Sequence, residues 1–290
     1  MGSARHDALP AVSRVGIVTC EGANDPDNPA LFRALAAAGL DATLVSWDDP
    51  SVRWESFDLA VVRSSWNYPG RRDDFLAWTR IVPNLVNPTD VIEYSSDKHY
   101  LTDLESRGLR IIPSHFCDVG EEPEFFDVDF VVKPCIGAGS LHVERYRPNE
   151  TKRALEHVAA LHEAGCDVLI QPYINSVDTL GERAIIFIDG AYSHAMTKGA
   201  LLNVSAAERD FHYRRKQMSL GEGETDAIEF ATHVVSTLGY SSLLYARVDL
   251  VATVQGWLVM ELEMIEPSLF LTFHQPAADA LAAGIARRLT

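Results

Sequence analysis

The sequence predicts an α/β protein in which a small parallel sheet is followed by a second α/β unit and by antiparallel hairpins. Three observations support this fold class. Apolar strands alternate with amphipathic helices over 14–81, which is the pattern of βαβ units. A compact strand and helix pattern recurs over 111–174. Beyond it, two pairs of alternating strands flank Asp189-Gly190 and Val254-Gln255-Gly256, which are turn sequences of β-hairpins.

The composition is that of an ordinary globular protein: of 290 residues, 47% are apolar and 23% are charged. A formal net charge of −16 argues against nucleic acid or an anionic membrane as the main partner. Met1 to Pro10 lack the apolar core of a signal peptide, and no apolar run is long enough to span a membrane. The four cysteines stand singly, which indicates buried thiols in a reducing compartment. We therefore expect a cytoplasmic protein.

The first unit has the elements of a parallel sheet with crossover helices. Strands are expected over 14–20, 41–47 and 58–63, and helices over 29–38 and 73–81. Ligands of such sheets bind beside the loops that follow the strands. These loops are 21–28 and 64–68, so we expect the substrate side of the protein here, within an N-terminal domain over 1–92.

The second unit combines lysines with a glycine-rich loop, and we expect a domain over 93–174. Its predicted helices cover 96–107 and 151–164, and its predicted strands cover 130–134, 141–146 and 168–173. Lys98 falls in the first turn of the first helix, and Lys133 lies just before Gly137-Ala138-Gly139-Ser140. Glycines let backbone N–H groups approach an oxyanion and a lysine adds a point charge, so this segment is a candidate phosphate site. The string is not a P-loop, and a glycine-rich hairpin turn beside solvated lysines remains an alternative.

The connection to the last unit carries candidate nucleotide contacts. Proline in Gln171-Pro172-Tyr173-Ile174 is typical of a strand end, where free backbone groups could bond an adenine edge. Asp178 could accept from ribose hydroxyls, although a lone loop carboxylate more often serves a turn.

The last unit, over 175–290, contains an acidic hairpin between predicted helices over 226–238 and 276–289. A three-residue Val-Gln-Gly loop sets Asp249 opposite Glu261 and Arg247 opposite Glu263 on one face. Like charges directly opposed destabilise a sheet unless a cation lies between them. Oxygen-only ligands favour magnesium over zinc. The alternative is a solvated polar face of an amphipathic hairpin.

The order of these segments resembles the ATP-grasp superfamily over nearly the whole chain. The resemblance implies a small lid domain and a C-terminal sheet domain that hold ATP between them. It places Lys98 and Lys133 on the α- and β-phosphates, with Arg247 on the transferring phosphoryl group. The implied ATP contacts also include Gly137, Ala138, Gly139, Ser140, Gln171, Tyr173, Ile174, Asp178 and Glu182. Asp249, Glu261 and Glu263 are implied to hold two Mg²⁺ ions, with Mn²⁺ as an alternative. Glu263 departs from the frequent Glu-x-Asn pattern but keeps an oxygen donor.

Further strings resemble the O-ureido-serine cyclo-ligases of cycloserine biosynthesis. Among them are Arg63-Ser64-Ser65-Trp66-Asn67-Tyr68, Asp97-Lys98-His99-Tyr100-Leu101 and Gly181-Glu182-Arg183. This resemblance implies an ATP-dependent cyclo-ligase that makes an acyl phosphate on O-ureido-D-serine and closes the D-cycloserine ring by intramolecular nitrogen attack. The candidate catalytic residues are then Arg247, Lys198, Arg183 and His194, and the candidate substrate residues are Ser65, Trp66 and Asn67. Structural roles are the plainer interpretation of His194 and Trp66.

Two other functions remain open at this stage. One is an intermolecular ligase that joins a carboxylate to an amine, as dipeptide-type ligases do. The other is a regulatory protein that binds ATP without catalysis, although the complete set of Arg247, Asp249, Glu261 and Glu263 argues against it. The expected partner is a small amino-acid-like carboxylate, with neither nucleic acid nor membrane, and a homodimer or higher homo-oligomer is expected from the architecture.

Overall fold

The computed structural model describes residues 13–202, 215–221, 223–240 and 243–289, and arranges their strands in three sheets. The strands are β1 Arg14–Thr19, β2 Asp41–Ser46, β3 Leu59–Ser64, β4 Leu85–Val86, β5 His115–Cys117, β6 Phe130–Pro134, β7 Glu144–Tyr146, β8 Val168–Pro172, β9 Glu182–Ile188, β10 Ala191–Lys198, β11 Met218–Gly221, β12 Tyr245–Thr253 and β13 Gly256–Glu263. The helices are α1 Asn28–Ala37, α2 Arg72–Ile81, α3 Thr89–Ser95, α4 Tyr100–Ser106, α5 Thr151–Glu163, α6 Val177–Leu180, α7 Thr225–Thr237 and α8 Gln275–Arg287.

The first sheet is parallel, with the strand order β2-β1-β3-β4, as the βαβ pattern predicts. The last residues of β1 and β3 meet at its carboxyl edge, where the Ser64 hydroxyl donates to Thr19 Oγ1 at 2.9 Å. The loops after both strands therefore leave the sheet side by side.

The second sheet is antiparallel, with the strand order β5-β8-β6-β7, and its flanking segments correct two predictions. The helix predicted over 96–107 is present but begins only at Tyr100, so Lys98 lies in a turn between α3 and α4 and not in the first turn of a helix. The Asp97 side chain accepts from the His99 amide at 3.1 Å, and the Lys98 amide donates to the Cys135 carbonyl at 3.0 Å instead of to a helix carbonyl. The strand predicted from residue 141 begins only at Glu144, because Ser140 and His142 have φ of 58° and 56°.

The third sheet has the order β11-β10-β9-β12-β13 and contains both predicted hairpins. Asp189 and Gly190 have φ of 50° and 77°, as a two-residue type I′ turn requires. In the acidic hairpin, Asp249 pairs with Glu261 and Arg247 with Glu263, which confirms the predicted register.

The loop of that hairpin differs from the prediction. Thr253 pairs with Gly256, so the loop has two residues instead of the predicted three. The remaining residue forms a bulge in β13, opposite Asp249 and Leu250. The bulged residue is Met260, since Asp249 pairs with Glu261 and Leu250 with Val259. A bulge re-aims neighbouring side chains, and here Met260 and Glu261 both line the cavity described below.

A shared apolar core fixes the first sheet against the third. Val15 and Ile17 of β1 belong to the same buried cluster as Ile186 of β9, Met196 of β10 and Leu281 of α8. Each of these side chains is fully buried, and burial of such a side chain stabilises by about 1.5–3 kcal/mol. The loops of the first sheet are therefore held in a fixed position relative to the acidic hairpin. Among the described residues, no helix combines the length and apolar content needed to cross a bilayer.

Candidate active site

A cavity of about 540 Å³ lies where the three sheets meet. Loops of the first sheet, the glycine-rich loop, the end of β8 and the acidic hairpin all contribute to its wall. Of the residues predicted from the sequence, those lining it are Trp66, Lys98, Lys133, Gly137, Ala138, Gly139, Ser140, Gln171, Tyr173, Ile174, Glu182, Lys198, Arg247, Glu261 and Glu263. The predicted phosphate, adenine and metal groups are thus brought to one place.

Three carboxylates form the acidic centre of the cavity. One oxygen from each of Asp249, Glu261 and Glu263 lies within 4.8 Å of the others. Asp249 is 1% exposed and sits behind the cavity wall, whereas the two glutamates reach the surface of the cavity. An oxygen-only donor set of this spacing fits a hard divalent cation such as Mg²⁺.

Arg247 and Lys198, which also line the cavity, neutralise part of the charge of this centre. The Arg247 guanidinium donates to both Asp249 oxygens at 2.9 and 3.0 Å, and it also contacts Glu263. Lys198 Nζ lies 2.6 Å from Asp249 Oδ2 and 2.8 Å from Glu182. Burial raises the pKa of Asp249, but the two cations outweigh it and lower that pKa to about 2. Asp249 is therefore an ionised, fixed carboxylate at neutral pH.

Two further lysines, Lys98 and Lys133, act on Glu261. Lys98 Nζ lies 3.3 Å from Glu261 Oε1 and donates to the Gly137 carbonyl at 3.2 Å. Burial lowers the pKa of Lys133, against the opposing effect of Glu261. Burial raises the pKa of Glu261, but Lys98 and Lys133 outweigh it and lower the pKa. Glu261 thus lies between the lysine pair and the other two carboxylates.

The glycine-rich loop has the backbone of an anion-binding segment. Gly139, Ser140 and His142 have φ of 63°, 58° and 56°, which is the left-handed region. Turns that alternate with this conformation present successive N–H groups toward one point. The loop lines the cavity next to Lys98, and its Leu141 side chain is 65% exposed.

The end of β8 borders an apolar slot at the far end of the cavity. Tyr173 and Ile174 belong to one apolar cluster with Ile112, Val131 and Met260, and all of these line the cavity. Gln171 is buried, and its amide donates to the Ser114 hydroxyl at 2.9 Å. Apolar side chains with strand-end backbone groups beside them suit a purine base.

Asp178 is engaged by protein groups. Its carboxylate accepts from Tyr173 Oη at 2.6 Å and from Arg145 at 3.2 Å, and Arg145 stacks 3.6 Å above the Tyr173 ring. It does not line the cavity. Its predicted ribose contact would require it to leave these partners.

Arg183 and His194 lie away from the cavity. Arg183 donates to both carboxylate oxygens of Glu224 at distances from 2.8 to 3.0 Å, on the face of β9 opposite to Glu182. His194 is buried and stacks against His274 at 4.8 Å, and burial lowers its pKa to about 4. Neither side chain lines the cavity, so the structure does not bring these two predicted catalytic residues together with the others, and their roles stay predictions.

The three predicted substrate residues in the loop after β3 differ in whether they reach the cavity. Trp66 is 39% exposed and lines the cavity. Asn67 instead accepts from Trp47 Nε1 at 2.7 Å, and Ser65 is fully buried. Of the three predicted substrate residues, the structure therefore brings only Trp66 to the cavity.

Comparisons with known proteins decide the family. The family model described as D-cycloserine synthetase DcsG, N-terminal domain, matches residues 15–87. The cycloserine biosynthesis protein DcsG of Streptomyces lavendulae is 35% identical over 286 residues, covering 91% of this chain and 94% of that protein. The chain belongs to the D-cycloserine synthetase family.

Solved structures agree with this assignment. The crystal structure of D-cycloserine synthetase DcsG has a TM-score of 0.86 and 32% identity, covering 96% of this chain and 100% of that one. A D-alanine–D-alanine ligase from Bacillus anthracis, solved in complex with ATP, is 14% identical with a TM-score of 0.67, over 96% of this chain and 97% of that one. The predicted ATP-grasp fold is confirmed, and so is the resemblance to cycloserine-forming enzymes.

This family member also has cavity residues that the sequence analysis missed. They are concentrated in the segment after β13 and in the loop after β1, and include Asp27, Glu266, Ser268, Phe270 and Thr272. The loop after β1 was expected at the ligand side, but nothing in its composition singled out Asp27. The segment after β13 follows no strand or helix period, and its special backbone, with Phe270 at φ 55°, becomes visible only in three dimensions.

Gly181 provides a test of the position of Lys198 in this D-cycloserine synthetase family member. A Cβ on Gly181 would lie 2.6 Å from the Lys198 carbonyl oxygen, and its φ of 69° with ψ of −176° is a conformation almost confined to glycine. We expect Gly181→Ala to cost about 2–4 kcal/mol of unfolding free energy and to lower turnover about 10- to 100-fold by displacing Lys198. Denaturant unfolding and ADP release measure the two effects.

Gly190→Ala at the other end of the same hairpin is the matched control. Gly190 also has a positive φ, 77°, but apart from Gly190 and its two chain neighbours no atom of the described residues lies within 4 Å of the point that a Cβ would occupy there. The substitution should cost about 1 kcal/mol and leave turnover unchanged. Equal turnover losses in the two variants would contradict a specific role for the Gly181 contact.

Proposed function

We propose that this protein catalyses the ATP-dependent ring closure of O-ureido-D-serine to D-cycloserine, with release of ADP and phosphate. The observation that carries the proposal is the convergence of the lysines, the acidic hairpin and Trp66 on one cavity. The family membership supports the substrate, because the relatives that cover nearly the whole chain are named for cycloserine formation.

We assign ATP to the part of the cavity lined by the lysines, the glycine-rich loop and the end of β8. The adenine fits the apolar slot beside Tyr173 and Ile174, and Lys98, Lys133 and the glycine-rich loop suit its phosphates. Asp249, Glu261 and Glu263 fit Mg²⁺, because their oxygens lie within 4.8 Å of one another. Bound Mg²⁺ would neutralise phosphate charge during transfer. We infer two ions, since both glutamates face the cavity.

The side chains of this protein then have separate tasks. Arg247, fixed by Asp249 and by the Ser268 carbonyl at 3.2 Å, stabilises the charge of the phosphoryl group as it moves to the substrate carboxylate. Lys198 holds Asp249 in its ionised form and position. The exposed glycine-rich loop can fold over the phosphates and exclude water from the acyl phosphate.

Ring closure needs little further chemistry from the protein. The substrate nitrogen next to oxygen attacks the acyl carbon, a C–N bond forms, and the bond to phosphate breaks. The nitrogen that enters the ring still carries the carbamoyl group of the substrate, which D-cycloserine lacks. Hydrolysis of this group by one water releases it as carbon dioxide and ammonia. Holding the nucleophile and the acyl phosphate in one pocket makes the attack intramolecular, which favours it strongly.

A single-substrate assay tests this function. With Mg-ATP and O-ureido-D-serine alone, the protein should release ADP and form D-cycloserine, detected by a coupled assay and by mass spectrometry. ATP without the organic substrate is the control. If no ADP is released with O-ureido-D-serine, but ADP is released when another carboxylate and an acceptor amine are supplied together, the protein is instead an intermolecular ligase.

A further inference from the structure

Asp27 is a buried carboxylate at the wall of the cavity to which none of the tasks above assigns a role. It is 2% exposed and lines the cavity at the start of α1. Its Oδ1 accepts from the Thr272 amide at 3.2 Å. Its Oδ2 has no hydrogen-bond partner among the described residues. Arg63 Nη2 faces this oxygen at 3.9 Å and likewise has no hydrogen-bond partner among the described residues. The guanidinium therefore supplies opposing charge but no hydrogen bond, and a donor that arrives with the ligand would supply one.

The position of Asp27 in the helix strengthens this point. It is the N-cap of α1, where an aspartate side chain normally accepts from the first backbone amides of the helix. Here the side chain makes no capping hydrogen bond and instead turns toward Thr272. Pro29 has no N–H to offer, and the Ala30 amide donates to the Asp27 backbone carbonyl at 3.1 Å, so the helix end leaves the carboxylate without a capping partner.

The charges around Asp27 favour a cationic ligand. Within the described part of the chain, Arg63 is the cation paired with both Asp25 and Asp27, at 3.7 and 3.9 Å, and these distances are too long for hydrogen bonds. Arg63 Nη1 is used by the Pro267 carbonyl at 3.0 Å. One guanidinium thus faces two buried acids. No third metal-ligating side chain joins Asp25 and Asp27 among the described residues, which favours a small hydrogen-bond donor over a metal ion.

The segment after β13 links Asp27 to the phosphoryl-transfer centre. The Ser268 carbonyl accepts from Arg247, and the Thr272 amide, four residues on, donates to Asp27. An α-amino acid carries its ammonium group next to its carboxylate. A substrate whose carboxylate faces Arg247 can therefore present its ammonium group along the same segment.

We propose that Asp27 binds the α-ammonium group of the substrate and makes the enzyme selective for an amino acid with a free amine. This rests on the proposed function, whose substrate has such a group. Asp27 is then a specificity-determining residue and does not take a proton from the nitrogen that attacks. Arg63 and Thr272 hold Asp27 in position.

The test compares Asp27→Asn with the wild-type protein on two compounds, O-ureido-D-serine and its analogue without the α-amine, 3-(ureidooxy)propanoic acid. Asparagine keeps the acceptor for Thr272 but loses the charge. KM for O-ureido-D-serine should rise about 10- to 100-fold, the range for a hydrogen bond between charged groups, while KM for ATP stays within about 2-fold. The wild type should disfavour the analogue by a similar factor, whereas Asp27→Asn should no longer distinguish the two compounds.

Asp25→Asn is the matched control, since it removes the same charge from the same cluster but Asp25 does not line the cavity. Equal KM changes in both variants, or an Asp27→Asn protein that still prefers the parent compound, would overturn the assignment. Thermal shifts with Mg²⁺ and a non-hydrolysable ATP analogue report binding without turnover. If O-ureido-D-serine raises the melting temperature of the wild type no more than the analogue does, the role of Asp27 is overturned, whether or not ADP is released. If O-ureido-D-serine raises the melting temperature more than the analogue does but no ADP is released, only the proposed reaction is overturned.

Discussion

Glu261→Gln is expected to lower turnover about 10³-fold while leaving the protein folded. Glutamine has the shape of glutamate but lacks the charge toward which Lys98 and Lys133 converge. It also removes one of the three carboxylates that fit Mg²⁺. ADP release measured over a range of Mg²⁺ concentrations should show both a lower maximum and a requirement for more metal. Thermal unfolding verifies that the variant is folded.

The matched control is Glu93→Gln on α3. The Glu93 side chain pairs with Arg80 at 3.1 Å, and both side chains are about half exposed. An exposed pair contributes about 0–1 kcal/mol, so this variant should keep full activity and Mg²⁺ dependence. A Glu261→Gln protein that retains wild-type turnover would show that the acidic hairpin is not the metal site.

The register of the acidic hairpin was predictable from local information. Alternation places Asp249 and Glu261 on one face, and the turn sequence limits how the strands align. The bulge at Met260 was not predictable, because an extra residue can sit in the loop or in the ladder with the same overall register. The choice between them depends on packing of Met260 against Tyr173 and Val131, which are distant in sequence.

Other parts of the site depend on contacts that a sequence pattern does not contain. Arg183 and Glu182 are neighbours on one strand and must point to opposite faces, but only the position of Glu224 reveals which face is outside. Asp27 meets Thr272 across 245 residues. The predicted limits of the three domains, the cytoplasmic location and the homo-oligomeric state stay predictions.

Arg247→Met is expected to remove activity and also to destabilise the fold. Arg247 is 6% exposed, and its loss leaves the buried Asp249 carboxylate with Lys198 as its remaining cation among the described residues. Breaking a buried ion pair from one side costs about 3–5 kcal/mol, and we expect that loss in the free energy of unfolding. Turnover should fall about 10³-fold, because the guanidinium proposed to stabilise the transferring phosphoryl group is lost. Arg247→Lys should recover part of the stability but little of the activity, since one ammonium cannot donate to both Asp249 oxygens and to Glu263 in the same geometry.

Arg183→Met distinguishes this effect from a general loss of charge in the sheet. Arg183 lies on the adjacent strand and also pairs with a carboxylate, but its partner Glu224 is 43% exposed and the pair lies outside the cavity. Its removal should leave turnover unchanged but cost about 1–3 kcal/mol, because the Arg183 side chain is 15% exposed and also donates to the Leu180 carbonyl at 2.6 Å. Denaturant unfolding and ADP release on the two variants therefore separate an arginine that lines the cavity from one outside it. If Arg183→Met instead lost activity while staying folded, the hairpin face occupied by Glu224 would belong to the substrate site, and the site would extend beyond the cavity.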